Sequence, residues 1–341
     1  MPRRDARSYD ETDVRVRPGR RSSRPRSKRR PAHDDATRAM VTAVDRGRWT
    51  CAVDGDPELP QVVAMRAREL GRTPIVVGDR VDLVGDLTGE PDTLARIVRV
   101  ADRATVLRRT ADDTDPYERV VVANAARLVV VTAVADPVPR TGFVDRCLVA
   151  AYAGGLQPVL CLTKSDLADP EPFAAQYREL GVPLVITGRA ADGAPEGLDA
   201  LREILAGDLC ALVGHSGVGK STLVNAVVPD AEQATGRVSG VGKGRHTTTA
   251  ALALPLGDDG WVVDTPGVRS FGLAHLGADD VVVAFGDLAE AIEDCPRGCG
   301  HLGPPADPEC ALDGMVVAGT LGEGRLVALR RILVALNQPA Y

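Results

Sequence analysis

Aromatic residues and lysines are scarce in this chain of 341 residues. Phenylalanine, tryptophan and tyrosine together make up 3% of it. Lysine occurs only as Lys28, Lys164, Lys220 and Lys243, against 37 arginines. Because arginine serves almost everywhere else, we expect lysine to mark places where a compact ammonium group matters.

Long apolar runs are also absent. The stretches Leu128 to Ala135 and Leu252 to Leu256 fall far short of the ~20 residues that a membrane span needs. The arginine-rich N-terminus is not followed by the apolar segment of a secretory signal. We therefore predict a cytoplasmic protein with no membrane partner. Its 44% hydrophobic residues suffice for two or three domains with their own cores.

The net charge of −6 divides unevenly along the chain. Residues 1–31 contain 12 Lys and Arg against 4 Asp and Glu, so this part is +8 and the remainder −14. Residues 1–38 have few aliphatic side chains, which predicts a disordered basic tail. Such a tail either contacts RNA phosphates or serves as a solvated, solubilising segment.

Seven cysteines are an odd number, which argues against a disulfide scaffold. Three of them surround a histidine in the pattern Cys295-x3-Cys299-x-His301-x8-Cys310. Three thiolates and an imidazole are the ligand set of a closed, tetrahedral zinc site. We predict one structural zinc ion per chain, the alternative being a coincidence of cysteines in a Pro/Gly-rich loop.

Residues 39–104 are predicted to form a β-barrel of the oligonucleotide-binding (OB) type, because five short strand-like runs follow one another. Barrels of this type often bind nucleic acid, but the fold alone does not establish it. Trp49 either stacks on a base or belongs to the core. The runs are Met40–Val44, Trp49–Val53, Gln61–Arg66, Val76–Leu83 and Thr93–Val100.

Residues 105–277 alternate aliphatic strands with helix-length segments, which predicts a mostly parallel α/β sheet covered on both faces. The predicted strands are Leu128–Ala135, Pro158–Leu162, Pro183–Thr187, Leu209–Val213, Leu252–Leu256 and Trp261–Val263. The predicted helices are Phe143–Ala153, Pro172–Leu180, Leu198–Leu205 and Lys220–Val227. Residues 278–341 are predicted to be a helical zinc-binding domain with helices over Asp279–Asp294 and Gly322–Leu336.

A glycine-rich motif follows the strand Leu209–Val213 and precedes a helix, as a phosphate-binding loop requires. Backbone N–H groups of such a loop surround phosphates, Lys220 reaches the terminal ones, and Ser221 offers a hydroxyl ligand to Mg²⁺. The alternative is an ordinary glycine-rich turn. The predicted phosphate-binding residues are Gly214, His215, Ser216, Gly217, Val218, Gly219, Lys220, Ser221 and Thr222.

The sequence Asp264-Thr-Pro-Gly267 closes the strand Trp261–Val263. An acidic residue at this point can hold Mg²⁺ through water, while the Gly267 amide approaches the γ-phosphate. Four residues alone would be a weak signal, but their position after a phosphate loop and a further strand strengthens it.

The sequence Thr163-Lys164-Ser-Asp166 ends the strand Pro158–Leu162. A carboxylate there can accept two hydrogen bonds from guanine, whereas adenine offers no such donor pair. Thr163 occupies a position where asparagine is usual, and Thr187 is a candidate small residue beside the base. The alternative role of Asp166 is an ordinary helix cap.

The segment Gly236–Thr249 is rich in glycine and ends in three threonines, a pattern typical of a switch that senses the γ-phosphate. Val268 stands where many GTPases have a glutamine that orients water, so we expect slow intrinsic hydrolysis. His246 is the nearest catalytic candidate in the sequence, with a structural or partner-contact role as the alternative.

The order of these motifs is unusual, because the guanine motif precedes the phosphate loop. A parallel sheet tolerates such a circular permutation when the original termini lie close together. The combination resembles the ribosome small-subunit-dependent GTPase A family of circularly permuted bacterial GTPases. The resemblance runs from about Met40 to Ala335 and rests on the motifs above, on Gly244-Arg-His-Thr-Thr-Thr249, and on Val77-Gly-Asp-Arg-Val81 and Val122-Ala-Asn124.

This resemblance implies a GTP hydrolase that is stimulated by the small ribosomal subunit and acts late in its maturation. It also implies GTP/GDP, Mg²⁺ and Zn²⁺ as ligands, a barrel and a zinc domain that contact ribosomal RNA, and His246 as the catalytic histidine. We expect a monomer. The alternative function is an RNA-binding protein that is gated by a structural nucleotide and turns it over little.

Overall fold

The computed structural model describes residues 33–56, 58–110, 117–228, 251–257, 260–265, 273, 276–283, 285 and 287–336. Most of the basic tail, the Gly236–Thr249 segment with His246, and Gly267 with Val268 lie outside these residues. Within the described ranges, no helix combines the length and apolar character that crossing a bilayer would require.

The N-terminal strands form the predicted five-stranded barrel. Their order is β1-β2-β3-β5-β4, and pairing of β4 with β1 closes the barrel. Trp49 is 7% exposed and donates its Nε1–H to the Ile75 carbonyl over 3.1 Å, so it belongs to the core and does not offer a stacking surface. The strands are β1 (Thr37–Asp45), β2 (Arg48–Val53), β3 (Gln61–Arg66), β4 (Arg80–Gly85) and β5 (Ala95–Val100).

The fourth strand begins later than the sequence predicted. Gly78 adopts a left-handed φ of +87°, and the Asp79 amide bonds back to Val76, so a turn interrupts the run before Arg80. Asp79 is fully buried, accepts the Val76 amide and pairs with Arg103. This apolar run therefore contains a turn that is fixed by a buried carboxylate.

The second part of the chain forms the predicted mostly parallel sheet. Its order is β10-β9-β8-β13-β15-β14, and only the β14–β15 pair of this series is antiparallel. Two short hairpins, β6–β7 and β11–β12, were not predicted. The strands are β6 (Val106–Arg109), β7 (Arg119–Ala123), β8 (Arg127–Ala133), β9 (Gln157–Thr163), β10 (Leu184–Ile186), β11 (Gly188–Arg189), β12 (Pro195–Glu196), β13 (Leu209–Val213), β14 (Leu252–Pro255) and β15 (Trp261–Asp264).

Helices cover both faces of this sheet because alternate strand residues are apolar on each side. Leu128 and Val130 of β8 face one cluster, which includes helices α1 and α2, while Val129 and Val131 face the other, which includes α3 and α4. The helices are α1 (Thr141–Ala153), α2 (Glu171–Arg178), α3 (Leu198–Leu205) and α4 (Lys220–Val227).

The barrel is joined to the second part of the chain through backbone and side-chain hydrogen bonds. The Ala123 amide donates to Val77, and the Asn124 side chain donates to the Gly78 carbonyl over 2.9 Å. Strand β1 also pairs with β14, at Ala43 and Leu252. The Val77–Val81 and Val122–Asn124 motifs thus meet at this joint.

The C-terminal segment contains helices α5 (Ala278–Val283), α6 (Ala311–Val317) and α7 (Glu323–Leu336). The predicted single helix over Asp279–Asp294 is wrong, because α5 ends at Val283 and only a 3-10 turn, Ala291–Asp294, follows. A run of β-branched valines in α5 and Gly286 in the sequence both disfavour a longer helix. Helix α6 was not predicted.

Candidate functional site

The predicted phosphate loop connects β13 to α4. Gly217 and Gly219 have φ values of +84° and +92°, which side chains other than glycine rarely adopt. Gly214 lies so close to the Val131 carbonyl that a side chain would not fit there. These constraints account for the glycines and place Lys220 and Ser221 in the first turn of α4.

His215 lies on the side of this loop that faces α1. Its ring packs against Phe143, with the ring centroids 4.0 Å apart. Burial, together with the positive charge of Arg140, lowers the pKa of His215. The ring is therefore held as a neutral, packed group.

Lys220, in the first turn of α4, lies beside Asp264, the last residue of β15. The Lys220 ammonium pairs with the Asp264 carboxylate. Thr265, which follows, is buried and donates its hydroxyl to Leu212 of β13 over 2.6 Å. This hydrogen bond holds the start of the Asp264 motif against the strand that leads into the phosphate loop.

Thr163 links the predicted guanine motif to the phosphate loop. Its buried hydroxyl donates to the Val218 carbonyl over 2.6 Å. The threonine that replaces the usual asparagine therefore bridges the two motifs directly. Lys164 adopts a left-handed φ of +58° and donates to the Asp136 carbonyl, which fixes the turn that leads to Asp166.

The loop after β10 supports Asp166, a contact that sequence reasoning missed. The Arg189 amide donates to Asp166 Oδ1 over 3.0 Å. Gly188 passes so close to Ser165 and Asp166 that an added Cβ would collide with the Ser165 hydroxyl. A glycine directly after a strand end was the available signal, since it marks close backbone approach.

Residues of the Thr163–Asp166 motif, together with Gly219 and Thr222, line a cavity of about 410 Å³, which is within the range of small-molecule sites. Lys220, Ser221 and Asp264 are not among the residues that line it. Thr187 is 4% exposed and lines the cavity with the predicted residues. The β11–β12 hairpin and the first turns of α4 complete its walls. Its lining includes Thr163, Asp166, Thr187, Gly188, Gly219 and Thr222.

The Cys/His cluster is a second candidate site. The ligand atoms of its four members lie within 4.8 Å of one another. His301 Nδ1 is 3.5 Å from the Cys295 sulfur and 3.9 Å from the Cys310 sulfur. These separations suit ligands about 2.0–2.3 Å from a shared tetrahedral zinc ion, so the residues present fit zinc.

The backbone around His301 is held from several sides. His301 has a left-handed φ of +59° and is 1% exposed. Asp307 accepts the amides of Gly300 and Leu302, and Arg330 of α7 donates to the His301 carbonyl over 3.1 Å. The loop is built to direct one histidine ring at three sulfur atoms, and sequence spacing alone did not reveal Asp307 or Arg330.

Gly267 and His246 lie outside the described residues, so their roles remain predictions. Of the other predicted nucleotide residues, Thr163, Lys164, Asp166, Gly219 and Thr222 line a common cavity. The predicted guanine motif comes before the phosphate loop in the chain. Both motifs nevertheless follow the C-terminal ends of strands, β9 and β13, in the same parallel part of the sheet. This arrangement is that of a circularly permuted P-loop GTPase.

Known proteins narrow this class further. The family model described as RsgA GTPase matches residues 100–274, and the chain belongs to this family. A relative from Alcanivorax borkumensis, named "Small ribosomal subunit biogenesis GTPase RsgA", is 37% identical over 274 residues, covering 77% of this chain and 74% of the relative. A relative of the same name from Pseudomonas syringae pv. syringae is 36% identical and covers 78% of this chain and 76% of its own length.

Two crystal structures share the fold. YjeQ from Thermotoga maritima is 27% identical, with a TM-score of 0.61, and the match covers 89% of this chain and 99% of that one. YloQ, described as a circularly permuted GTPase, is 21% identical with a TM-score of 0.61, and the match covers 92% of this chain and 100% of that one.

Proposed function

We propose that this GTPase binds the small ribosomal subunit, hydrolyses GTP in response, and acts in maturation of that subunit in the cytoplasm. The observation that carries the enzymatic part is a cavity lined by the predicted guanine motif and by Gly219 of the phosphate loop, two motifs that the Thr163–Val218 hydrogen bond joins. The relatives' names supply the small subunit as partner.

In this proposal Asp166 accepts the two guanine donors, and the Arg189 amide orients its carboxylate. Lys220 and the loop amides bind the phosphates, and Ser221 and Asp264 hold Mg²⁺, the latter through water. Bound Mg²⁺ would neutralise charge on the phosphate oxygens. The Lys220–Asp264 pair supports this assignment because it places the ammonium beside the carboxylate at the loop.

Gly267 and His246 complete the proposed machinery from the sequence. The Gly267 amide would approach the γ-phosphate, and His246 would supply the group that Val268 cannot. Contact with ribosomal RNA would complete the site and release the protein after hydrolysis.

Zinc and RNA binding are also part of the proposal. Cys295, Cys299, His301 and Cys310 would bind one structural Zn²⁺ per chain. The barrel and this centre would contact ribosomal RNA through local arginine patches, because a body of charge −14 repels phosphate in general. The protein would act as a monomer.

Measuring GTP turnover with and without purified small subunits tests the main proposal. We expect slow turnover alone, strong stimulation by subunits, and loss of both for Lys220→Ala, because the phosphates lose their ammonium partner. An absence of stimulation contradicts the proposal. Equal subunit affinity in the GTP and GDP states, with no turnover, would favour the alternative of a structural nucleotide.

Base recognition is tested with Asp166→Asn. The amide presents a donor where the carboxylate presents acceptors, so preference should move from guanosine towards xanthosine nucleotides. Titration with fluorescent GTP, XTP and ATP measures it. The matched control is Asp169→Asn, since Asp169 is exposed and accepts only the nearby Glu171 amide in the described structure. Unaltered preference in Asp166→Asn would refute the assignment.

A further inference from the structure

The ring of His301 has a partner on its far side. His301 Nε2 lies 2.9 Å from Asp279 Oδ1, while Nδ1 faces the Cys295 and Cys310 sulfurs. A histidine that gives Nδ1 to a metal carries its proton on Nε2. That N–H can then donate to the Asp279 carboxylate, which fixes the ring's tautomer and orientation.

Asp279 comes from a different part of the chain than the four cluster residues. It lies in the first turn of α5, 15 positions after Asp264 and 22 before His301. Helix α5 packs Val281 and Val282 into the cluster that includes α1. The Asp279 contact therefore connects α5, the first helix after the Asp264 motif among the described residues, to the Cys/His loop.

The other supports of His301 act on its backbone. Asp307 and Arg330 bind neighbouring amides and the His301 carbonyl, so they set the loop and not the ring. In the part of the chain that the structure describes, Asp279 is the carboxylate at the ring nitrogen that faces away from the sulfurs. Its side chain is 75% exposed, so substitution there leaves the apolar core intact.

We propose that Asp279 is a positioning residue of the Cys295/Cys299/His301/Cys310 centre, and that metal binding holds helix α5 in place through it. This inference rests on the proposed zinc site. It predicts that the Asp279 carboxylate strengthens zinc binding without being a ligand, and that zinc loss frees α5 as well as the cysteine loop.

The test uses the full-length protein loaded with zinc and a chromophoric chelator as competitor. Asp279→Ala should weaken zinc affinity about 10–100-fold, the usual effect of losing such a partner. Asp279→Asn keeps an acceptor oxygen without its charge and should fall between Asp279→Ala and the unaltered protein. Hydrogen exchange of the α5 amides should rise in zinc-loaded Asp279→Ala, as it should when zinc is removed from the unaltered protein.

Asp280→Asn is the matched control. Asp280 neighbours Asp279 on the same helix, but its carboxylate accepts the Gly277 amide over 2.8 Å. Unchanged zinc affinity in Asp279→Ala, or an equal loss in Asp280→Asn, would overturn the inference while leaving the zinc centre standing. An unaltered protein that binds no zinc would overturn the centre and this inference together.

Discussion

The barrel and the C-terminal segment are held together in opposite ways. The barrel closes its own sheet through β1–β4 pairing and fills it with a separate apolar cluster. The buried residues of the C-terminal segment, such as Leu312 and Leu329, instead belong to the cluster of α1 and the central sheet. Its polar contacts include those of the Cys/His cluster and the ion pair of Arg331 with Asp145.

This difference shows where each region is vulnerable. The closed ladder of backbone hydrogen bonds in the barrel does not depend on any one polar side chain. In the C-terminal segment, cutting one polar contact is costly where it leaves a buried group without its partner.

Removing the proposed zinc ion should have the largest effect. Zinc binding contributes on the order of 10 kcal/mol to the folding of small zinc peptides, so even part of it exceeds any single side-chain contact here. We expect chelation to abolish hydrogen-exchange protection between Asp287 and Val317 while strands β1–β5 remain protected. Mass spectrometry of the exchanged peptides measures both regions in one sample.

Two cysteine variants control that experiment. Cys299→Ser should lower the bound zinc well below one per chain and reproduce the effect of chelation. Cys51→Ala removes a buried thiol of the barrel and should leave the metal content unchanged. A C-terminal segment that stays folded without metal would contradict the expected difference between the two regions.

Arg331→Ala should have the next largest effect. Asp145 is 2% exposed and pairs with Arg331, whose guanidinium also lies 4.7 Å from the Tyr177 ring. Removing one partner of a buried pair costs about 3–5 kcal/mol, which denaturant unfolding would measure. Arg325→Ala is the control, since its pair with Asp287 is partly exposed and should contribute less than about 1 kcal/mol. Equal losses of unfolding free energy in the two variants would contradict a special role of the buried Arg331–Asp145 pair.

The stability lost in Arg331→Ala should depend on pH. Burial raises the pKa of Asp145, and Arg331 offsets part of the rise. Without Arg331, the pKa of Asp145 in the folded protein rises further above its value in the unfolded chain. The loss of stability in Arg331→Ala should therefore be greatest at neutral pH and shrink as the pH falls through the raised pKa of Asp145.

Gly78→Ala should have the smallest of the three effects, and it probes the barrel side of the comparison. An alanine Cβ would collide with the Ala123 carbonyl and lie 2.8 Å from Leu209 Cδ2, at a φ of +87°. Left-handed backbone alone costs about 1–3 kcal/mol. Gly47→Ala has a similar φ of +80° with no atom within 4 Å, so it measures the backbone cost alone. We expect a greater loss of unfolding free energy for Gly78→Ala, and equal values would mean that the joint tolerates movement.

Much of the central fold could be predicted from local sequence. Helices α3 and α4 begin and end where predicted. Each begins directly after a glycine, Gly197 or Gly219, that adopts a left-handed conformation. Strand β13 is a short apolar run between polar ends, and it was also placed correctly. The nucleotide motifs could be predicted because each needs particular residues at a strand end.

Long-range contacts could not be predicted in this way. The signal for Asp279 is an acidic residue in a short helix, which is common on any surface. What distinguishes Asp279 is its contact with the His301 ring, which lies 22 positions away in the chain. The turn at Gly78 was missed because the flanking valines continue the strand pattern, and the buried Asp79–Arg103 pair that fixes it is visible only in three dimensions.

The pairing of Ala43 with Leu252 has a consequence for dividing this protein into parts. Strand β14 borders β15 on one side and barrel strand β1 on the other. A fragment that began after the barrel would leave the outer backbone of β14 without this neighbour, and unpaired strand edges promote association between molecules. The barrel thus acts as the cover of that edge, and a soluble nucleotide-binding fragment should retain it.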